Sequence, residues 1–146
     1  ARAGKKVLLI EKGSYGGDCT NFGCIPSKTL IASAHAAQLI RENESLGLQL
    51  DSKVVQAQNT LERVRTIVSE IRSHDEPEAL HAKGVQTITG LARFVNSHTL
   101  SVRHASGQEQ QVTGKTIVIA TGSTAYVPPI AGLQGTPFLT NETIFD

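Results

Sequence analysis

The sequence predicts an α/β fold in which a parallel sheet with flanking helices carries a small antiparallel β insert. Two continuous apolar runs, at 7–10 and 117–120, are typical of strands that are buried on both faces in a parallel sheet. Stretches with helical periodicity lie between them. From residue 85 the period changes to short alternating strands separated by turn residues, which indicates the antiparallel insert.

The first predicted strand, Val7–Ile10, ends at Glu11 and leads through a glycine-rich segment into a helix. Pro26 suits the first turn of that helix, because an N–H at this position has no intrahelical partner. Cys24 therefore lies near the positive end of the helix dipole, which lowers the pKa of a thiol and favours the thiolate. Lys28 follows four residues later on the same helix face and adds a second positive influence on that sulfur.

A second helix is predicted over about 54–71, where apolar residues recur at helical spacing at Val54, Leu61, Val64, Val68 and Ile71. Pro77–Lys83 is expected to form a short helix that ends at Gly84. Four strands, VQTIT, LARFV, TLSVRH and EQQVT, are then predicted to form an antiparallel layer at about 85–113. The final element is a buried strand within Thr116–Ser123, followed by a turn with little side-chain bulk.

Composition excludes several classes of function. A net charge of +1 gives no electrostatic reason to expect binding to nucleic acid or to a membrane surface. The longest apolar runs are far shorter than the roughly 20 residues of a membrane span. The five histidines are scattered and form no metal motif, so no metal site is expected. These features favour a cytoplasmic protein.

Cys19 and Cys24 are the only cysteines in the chain. A structural disulfide and a pair of buried thiols are the alternatives to a redox site. A secreted disulfide scaffold would be shorter and richer in cysteine, whereas a cysteine pair in a reducing compartment is more often catalytic than structural. The position beside a helix start therefore favours redox chemistry.

The run GGDCTNFGCIPSK, residues 16–28, resembles the active-site signature of the class I FAD-dependent pyridine nucleotide–disulfide oxidoreductases. The glycines, both cysteines, Asn21 and the PSK triplet all match together. The resemblance implies that Cys24 lies against the flavin and that Cys19 is the interchange thiol, which meets the substrate. It also implies that Lys28 sits near the reactive nitrogen of the flavin.

The resemblance further implies an FAD-binding domain with a Rossmann-like parallel sheet. Glu11 would hold the adenosine ribose, the GLARF segment would pass the adenine, and the ATG turn would approach the flavin nucleotide. The expected cofactor contacts are Glu11, Lys12, Gly17, Lys28, Gly90, Ala92, Ala120, Thr121 and Gly122.

In that reading, residues 1–146 form an FAD-binding domain that lacks its first strand and glycine-rich loop, because no G-x-G-x-x-G pattern occurs. NAD(P)H would bind through a domain outside this chain. The His-Glu pair that completes the family's site would come from the partner subunit of a homodimer. We therefore expect the segment alone to be inactive.

Two positions refine the resemblance. Ser27 argues against glutathione reductases, which usually carry lysine there, and the GGDC sequence favours mercuric-reductase-like members over dihydrolipoamide dehydrogenase. Asp18 stands where most members have threonine, and phosphate would repel an aspartate, so no cofactor role is assigned to it. The resulting expectation is an oxidoreductase that passes electrons between NAD(P)H, FAD and a Cys19–Cys24 disulfide. Dihydrolipoamide dehydrogenase, and an FAD-binding or structural module without thiol chemistry, are the alternatives.

Overall fold

The structure is a computed structural model that describes residues 1, 3–52 and 54–145. The chain divides into two compact units, one formed by Ala1–Gly17 with Arg72–Ser123 and the other by Asp18–Ile71 with the chain from Thr124 on. The helices and strands, in chain order, are β1 (Val7–Glu11), α1 (Gly17–Asn21), α2 (Cys24–Arg41), α3 (Thr60–Arg72), α4 (Pro77–Ala82), β2 (Val85–Thr89), β3 (Leu91–Asn96), β4 (Thr99–Arg103) and β5 (Glu109–Thr113). Short 3-10 turns lie at Asn43–Leu46, Ser73–Asp75 and Leu133–Gly135.

The first unit contains a parallel pair of strands. β1 and β2 are in register from Val7 opposite Val85 to Glu11 opposite Thr89. α4 lies against β2 and begins at Pro77, where the missing proline N–H leaves no bond unmade. Gly84 follows that helix with φ at +76°, a conformation that glycine adopts without steric cost. The parallel pairing and the short helix confirm the prediction for this part of the chain. The burial predicted for the first strand was wrong, because Val7, Leu8 and Leu9 are 39%, 37% and 40% exposed.

The same unit carries the antiparallel insert, in which β4 lies between β3 and β5. Val102, on the central strand, is fully buried. The β4–β5 turn is closed by the His104 N–H, which donates to the Gln108 carbonyl at 2.8 Å, and Gly107 supplies the positive φ that the turn requires. The predicted insert is thus present at 91–113.

Two strand predictions were wrong. Val85–Thr89 was assigned to the antiparallel layer, but it pairs in parallel with β1 along its whole length. Thr116–Ser123 was predicted as a buried strand, yet it is irregular, and Val118 and Ile119 are 81% and 70% exposed. A strand forms only where a neighbour accepts its backbone hydrogen bonds, and no described strand pairs with this segment.

The second unit is helical. α2 and α3 are joined by a hydrogen bond of 3.4 Å from Arg63 Nη1 to the Thr29 carbonyl, and Val64 on α3 is 1% exposed. α3 begins at Thr60, whose N–H donates to the Ala57 carbonyl and closes a turn there. The predicted start near Val54 was therefore too early. Among the described residues, no helix has both the length and the apolarity to cross a membrane.

Candidate functional site

Cys19 and Cys24 form a disulfide with their Cα atoms 4.8 Å apart. The two sulfurs come from two consecutive helices, because Cys19 is the third residue of α1 and Cys24 is the first residue of α2. Both residues are exposed. The disulfide therefore lies at the surface of its unit, where a second thiol can reach it.

Gly23 makes the close approach of these helices possible. It precedes α2, and a Cβ added at Gly23 would lie 3.2 Å from the Asp18 carbonyl oxygen and 3.3 Å from Cys19 Cα. Both distances are shorter than ordinary van der Waals contact, so any larger residue would press against the backbone of α1. The hydroxyl of Ser27 donates to the Gly23 carbonyl at 2.7 Å and fixes the same turn.

The two cysteines have different electrostatic surroundings. Cys24 opens an 18-residue helix, whose unpaired N–H groups and dipole stabilise negative charge at this end. Cys19 lies inside a five-residue helix and has no comparable position. Lys28 is exposed one turn after Cys24 in α2, as predicted. After reduction, Cys24 is thus the sulfur that this arrangement favours as thiolate.

Glu11 lies at the end of β1 and is tied to its surroundings by two hydrogen bonds. Its carbonyl accepts the Gly90 N–H at 2.8 Å, which joins the carboxyl ends of β1 and β2. Its Oε1 accepts the Gly13 N–H at 2.8 Å, so the carboxylate also orders the turn after the strand. The second carboxylate oxygen, Oε2, is the acceptor available to a ligand hydroxyl.

Gly90 has a packing role that its sequence context only suggested. It is buried, and a Cβ added there would lie 2.8 Å from both the Arg103 carbonyl oxygen and Val102 Cγ1. Only glycine allows the end of β2 to lie this close to the end of β4. Lys12 and Gly90 both line a cavity of about 700 Å³ in this unit, beside the carboxyl ends of β1 and β2.

The other predicted cofactor contacts lie elsewhere in the chain. Ala92 is exposed in β3, opposite Val102. Gly17 begins α1 with φ at +68°, so its backbone conformation alone accounts for glycine there. The three residues of the ATG turn are exposed in the irregular segment that follows β5, and they are Ala120, Thr121 and Gly122.

The first unit fits the adenosine end of a dinucleotide. Ligands of parallel α/β sheets bind beyond the carboxyl ends of the strands, which is where the cavity lies. A cavity of this volume is in the range of small-molecule sites, about 300–1,000 Å³. Glu11 offers a carboxylate oxygen for ribose hydroxyls at the same strand end. When bound there, FAD would supply the relay between a two-electron hydride donor and a disulfide.

Sequence reasoning missed three features of the site. The need for Gly23 was visible only as a motif match, although a glycine between two closely spaced cysteines is a cue for a tight approach. Tyr15 is 6% exposed, and its hydroxyl hydrogen-bonds Thr89 Oγ1 at 3.0 Å, 74 residues away. The β4–β5 turn borders the cavity with Arg103, and no local pattern pointed to it. Among the described residues, no group of three or more potential ligands is arranged to hold a metal ion.

Comparison with known sequences gives consistent relatives. The chain is 39% identical over 148 residues to a mercuric reductase of Shewanella putrefaciens, covering 99% of the chain and 27% of that protein. It is 33% identical over 143 residues to the mercuric reductase of Lysinibacillus sphaericus, covering 98% of the chain and 25% of the relative. The chain thus spans about a quarter of the length of these curated relatives.

Solved structures agree with this result. The HOCl-induced flavoprotein disulfide reductase RclA from Escherichia coli matches with a TM-score of 0.75 at 30% identity, over 99% of this chain and 29% of that one. LpdA from Mycobacterium tuberculosis matches with a TM-score of 0.82 over 99% of this chain and 32% of that one. At 24% identity, the second likeness concerns the fold alone.

A family model described as pyridine nucleotide-disulphide oxidoreductase matches residues 1–145. That range includes residues 17–28, which we call the disulfide segment, together with both sheets and the irregular segment after β5. The signature around the two cysteines and the paired strands therefore belong to one continuous match. The chain is a member of the pyridine nucleotide-disulphide oxidoreductase family.

Proposed function

We propose that this chain is the FAD-binding part of a flavoprotein reductase that passes electrons from NAD(P)H to a small substrate through the Cys19–Cys24 disulfide. The observation that carries the proposal is the disulfide itself, which joins an exposed Cys19 to a Cys24 that opens a long helix. A disulfide that only stapled a loop would not need one sulfur at a helix N-terminus with a lysine one turn later.

The residues around the disulfide account for the different roles of the two sulfurs after reduction. NAD(P)H supplies two electrons and one proton, the S–S bond breaks, and the products are NAD(P)⁺, a Cys19 thiol and a Cys24 thiolate. The helix dipole and Lys28 hold the negative charge at Cys24. Cys19 takes the proton and remains the sulfur that exchanges with substrate. Gly23 keeps the two sulfurs within bonding reach, so that the disulfide forms again after each turnover.

For the substrate, we favour a thiophilic metal ion of the mercuric type. Mercuric reductases are the relatives with the sequence matches given above, and RclA is also known as a Cu(II) complex. The Cys19 thiol releases its proton to solvent and binds such an ion together with the Cys24 thiolate. Two electrons then pass from the two sulfurs to Hg(II), which gives Hg(0) and re-forms the S–S bond. A small organic disulfide, as in dihydrolipoamide dehydrogenase, is the second candidate, because exchange at an exposed Cys19 suits it equally well.

The proposal also covers the binding of both cofactors, the cellular compartment and the assembly of the protein. NAD(P)H would bind through a domain outside these 146 residues, since the chain spans only a quarter of its relatives. FAD would be held by Glu11 and Lys12 at the end of β1, by Gly90 and Ala92, by the ATG turn, and by Gly17 and Lys28 of the disulfide segment. We propose a cytoplasmic homodimer whose partner subunit completes the site with its His-Glu pair.

Two matched cysteine variants of the full-length reductase test this function. Cys24→Ser is expected to abolish substrate reduction and any long-wavelength absorbance, because that band requires a thiolate beside the flavin. Cys19→Ser is expected to abolish substrate reduction but to show the band without added reductant. In this variant Cys24 cannot form the disulfide, so it remains a thiolate. Absorbance spectra and NAD(P)H oxidation with Hg(II) are the measurements.

Flavin content and thermal unfolding of each variant serve as the control for folding. The same substitution at two positions five residues apart then differs only in which sulfur is lost. If both variants retained wild-type activity and spectra, the dithiol mechanism would be wrong. If the wild-type protein contained no flavin, the chain would be a structural module instead.

A further inference from the structure

The cavity in the first unit has walls from three parts of the chain. Lys12 lies just after β1 and Gly90 just after β2. The third wall is the end of β4 with the β4–β5 turn, where Arg103 closes the strand and His104 begins the turn. Only the first two residues belong to the contacts expected for the cofactor. The β4–β5 turn therefore lines the same cavity but is not among the expected cofactor contacts.

Gly90 fixes the turn against the parallel strands. Its N–H donates to the Glu11 carbonyl, and its Cα faces the Arg103 carbonyl so closely that a Cβ would lie only 2.8 Å from it. The ends of β1, β2 and β4 thus meet at one glycine. Within this unit, the side chain of Arg103 leaves the backbone beside the position where the ligand of β1 and β2 is expected.

The two charged side chains that line the cavity, Lys12 and Arg103, are both basic. Lys12 and Arg103 are exposed, and among the described residues neither forms an ion pair. No acidic side chain lines the cavity, and its remaining walls include the small and apolar residues Leu91, Ala105 and Gly107. Such a cavity disfavours cations and suits a flat, electron-rich ring, because a guanidinium stacks on aromatic faces.

We infer that the β4–β5 turn recognises the adenine end of the dinucleotide, with the Arg103 guanidinium stacked on the adenine ring and His104 at its edge. The inference rests on the proposed function, because it takes FAD as the ligand. It adds to the expected contacts a wall contributed by a different sheet. A ligand of this shape fills the gap between Lys12 and the turn without requiring a buried charge.

Binding of three ligands to the flavin-free full-length protein tests the inference. FAD and ADP contain the adenine, whereas FMN contains the flavin without it. Arg103→Ala is expected to weaken the binding of both FAD and ADP by roughly 2- to 30-fold, the range of a cation–π contact, and to leave FMN binding unchanged. Flavin fluorescence for FAD and FMN, and calorimetry for ADP, give the dissociation constants without any measurement of activity.

Arg93→Ala is the matched control, because Arg93 is an exposed arginine of the neighbouring strand β3 that does not line the cavity. It should leave all three affinities unchanged. Arg103→Lys keeps the charge and loses the planar group, so it should remain defective, and full rescue by lysine would overturn stacking on adenine. Equal losses for FAD and FMN, or no loss for FAD and ADP, would also overturn the inference while leaving the proposed function intact. A wild-type protein that binds no FAD would overturn both.

Discussion

The disulfide segment, Gly17–Lys28, and the cavity at the strand ends are built over different distances along the chain. Cys19 and Cys24 are five residues apart, and their geometry depends on one glycine and the start of one helix. The cavity needs β1, β2 and the β4–β5 turn, and the bond that joins Tyr15 to Thr89 spans 74 residues. The disulfide is thus built locally, whereas the cavity depends on the assembled sheets.

This contrast has a consequence for how substitutions act. A change in the disulfide segment alters a short loop and its electrostatics, so it should affect redox properties while the sheets stay intact. A change at the strand ends should alter the affinity for the cofactor and leave the disulfide able to form. The three predictions below test this separation, beginning with the largest expected effect.

Glu11→Ala should produce the largest change, and at the nucleotide end only. The substitution removes an acceptor for the ribose hydroxyls, and a hydrogen bond to a charged group contributes on the order of 1.5–3 kcal/mol. FAD affinity should therefore fall about 10- to 150-fold. Fluorescence titration of the flavin-free protein with FAD is the measurement, and thiol titration should show that the Cys19–Cys24 disulfide still forms.

Glu11→Gln is the control for the structural role of this side chain. The amide oxygen can still accept the Gly13 N–H that Oε1 now accepts, so the turn after β1 should be kept. A glutamine variant that binds FAD like wild type, beside a defective alanine variant, would mean that Glu11 orders the turn and does not need its charge for the ribose. Unchanged affinity in both variants would remove Glu11 from the site.

Gly23→Ala should have an intermediate effect, and at the disulfide only. The added Cβ would press on the backbone of α1 most strongly when the disulfide holds the helices together. A crowding cost of about 1–2 kcal/mol in the oxidised form makes the midpoint potential of the pair about 20–40 mV more positive. Equilibration with a glutathione buffer, followed by thiol quantification, measures that potential.

Gly135→Ala provides the matched control, because a Cβ at that glycine would meet nothing within 4 Å. Its disulfide potential should equal that of the wild type. If the Gly23→Ala variant had an unchanged disulfide potential, the backbone of α1 would have moved to accommodate the extra methyl group. If the variant also bound FAD more weakly, the proposed separation of the two regions would be wrong.

The same contrast explains which features the sequence could predict. The helix that begins at Cys24 and the position of Lys28 one turn along it depend on neighbours in sequence, so Pro26 and the residue spacing sufficed to predict them. The redox disulfide was expected from the family resemblance, and the two cysteines are bonded. The parallel pairing of Val85–Thr89 was missed because the sequence of a strand does not specify the strand with which it pairs. Thr116–Ser123 has the composition of a buried strand but no described neighbour to pair with, and its apolar side chains stay exposed.

The cavity shows the same limit. Glycine at position 90 was attributed to close strand packing or to a cofactor, and the sequence offered no way to choose. The choice depends on where Arg103 lies, which follows from the pairing of β4 with both its neighbours. In the sequence, Arg103 is an ordinary polar residue near the end of the predicted strand TLSVRH. Its place beside Lys12 arises only when the two sheets of the unit are assembled.

Lys28→Met should produce the smallest change and tests the electrostatics within the disulfide segment. The substitution keeps helix propensity and most of the side-chain volume, and it deletes one exposed charge four residues from Cys24. Loss of such a pair removes a stabilisation of the thiolate of about 0.2–0.5 kcal/mol, so the pKa of the Cys24 thiol in the reduced protein should rise. The helix dipole remains and still favours the thiolate. The thiolate band should therefore begin to lose intensity only at slightly higher pH as the solution is acidified. A pH titration of that band is the measurement. Lys115→Met is the control for loss of a lysine far from α2 in sequence. An equal titration midpoint in the wild type and both variants would mean that Lys28 is only solvated.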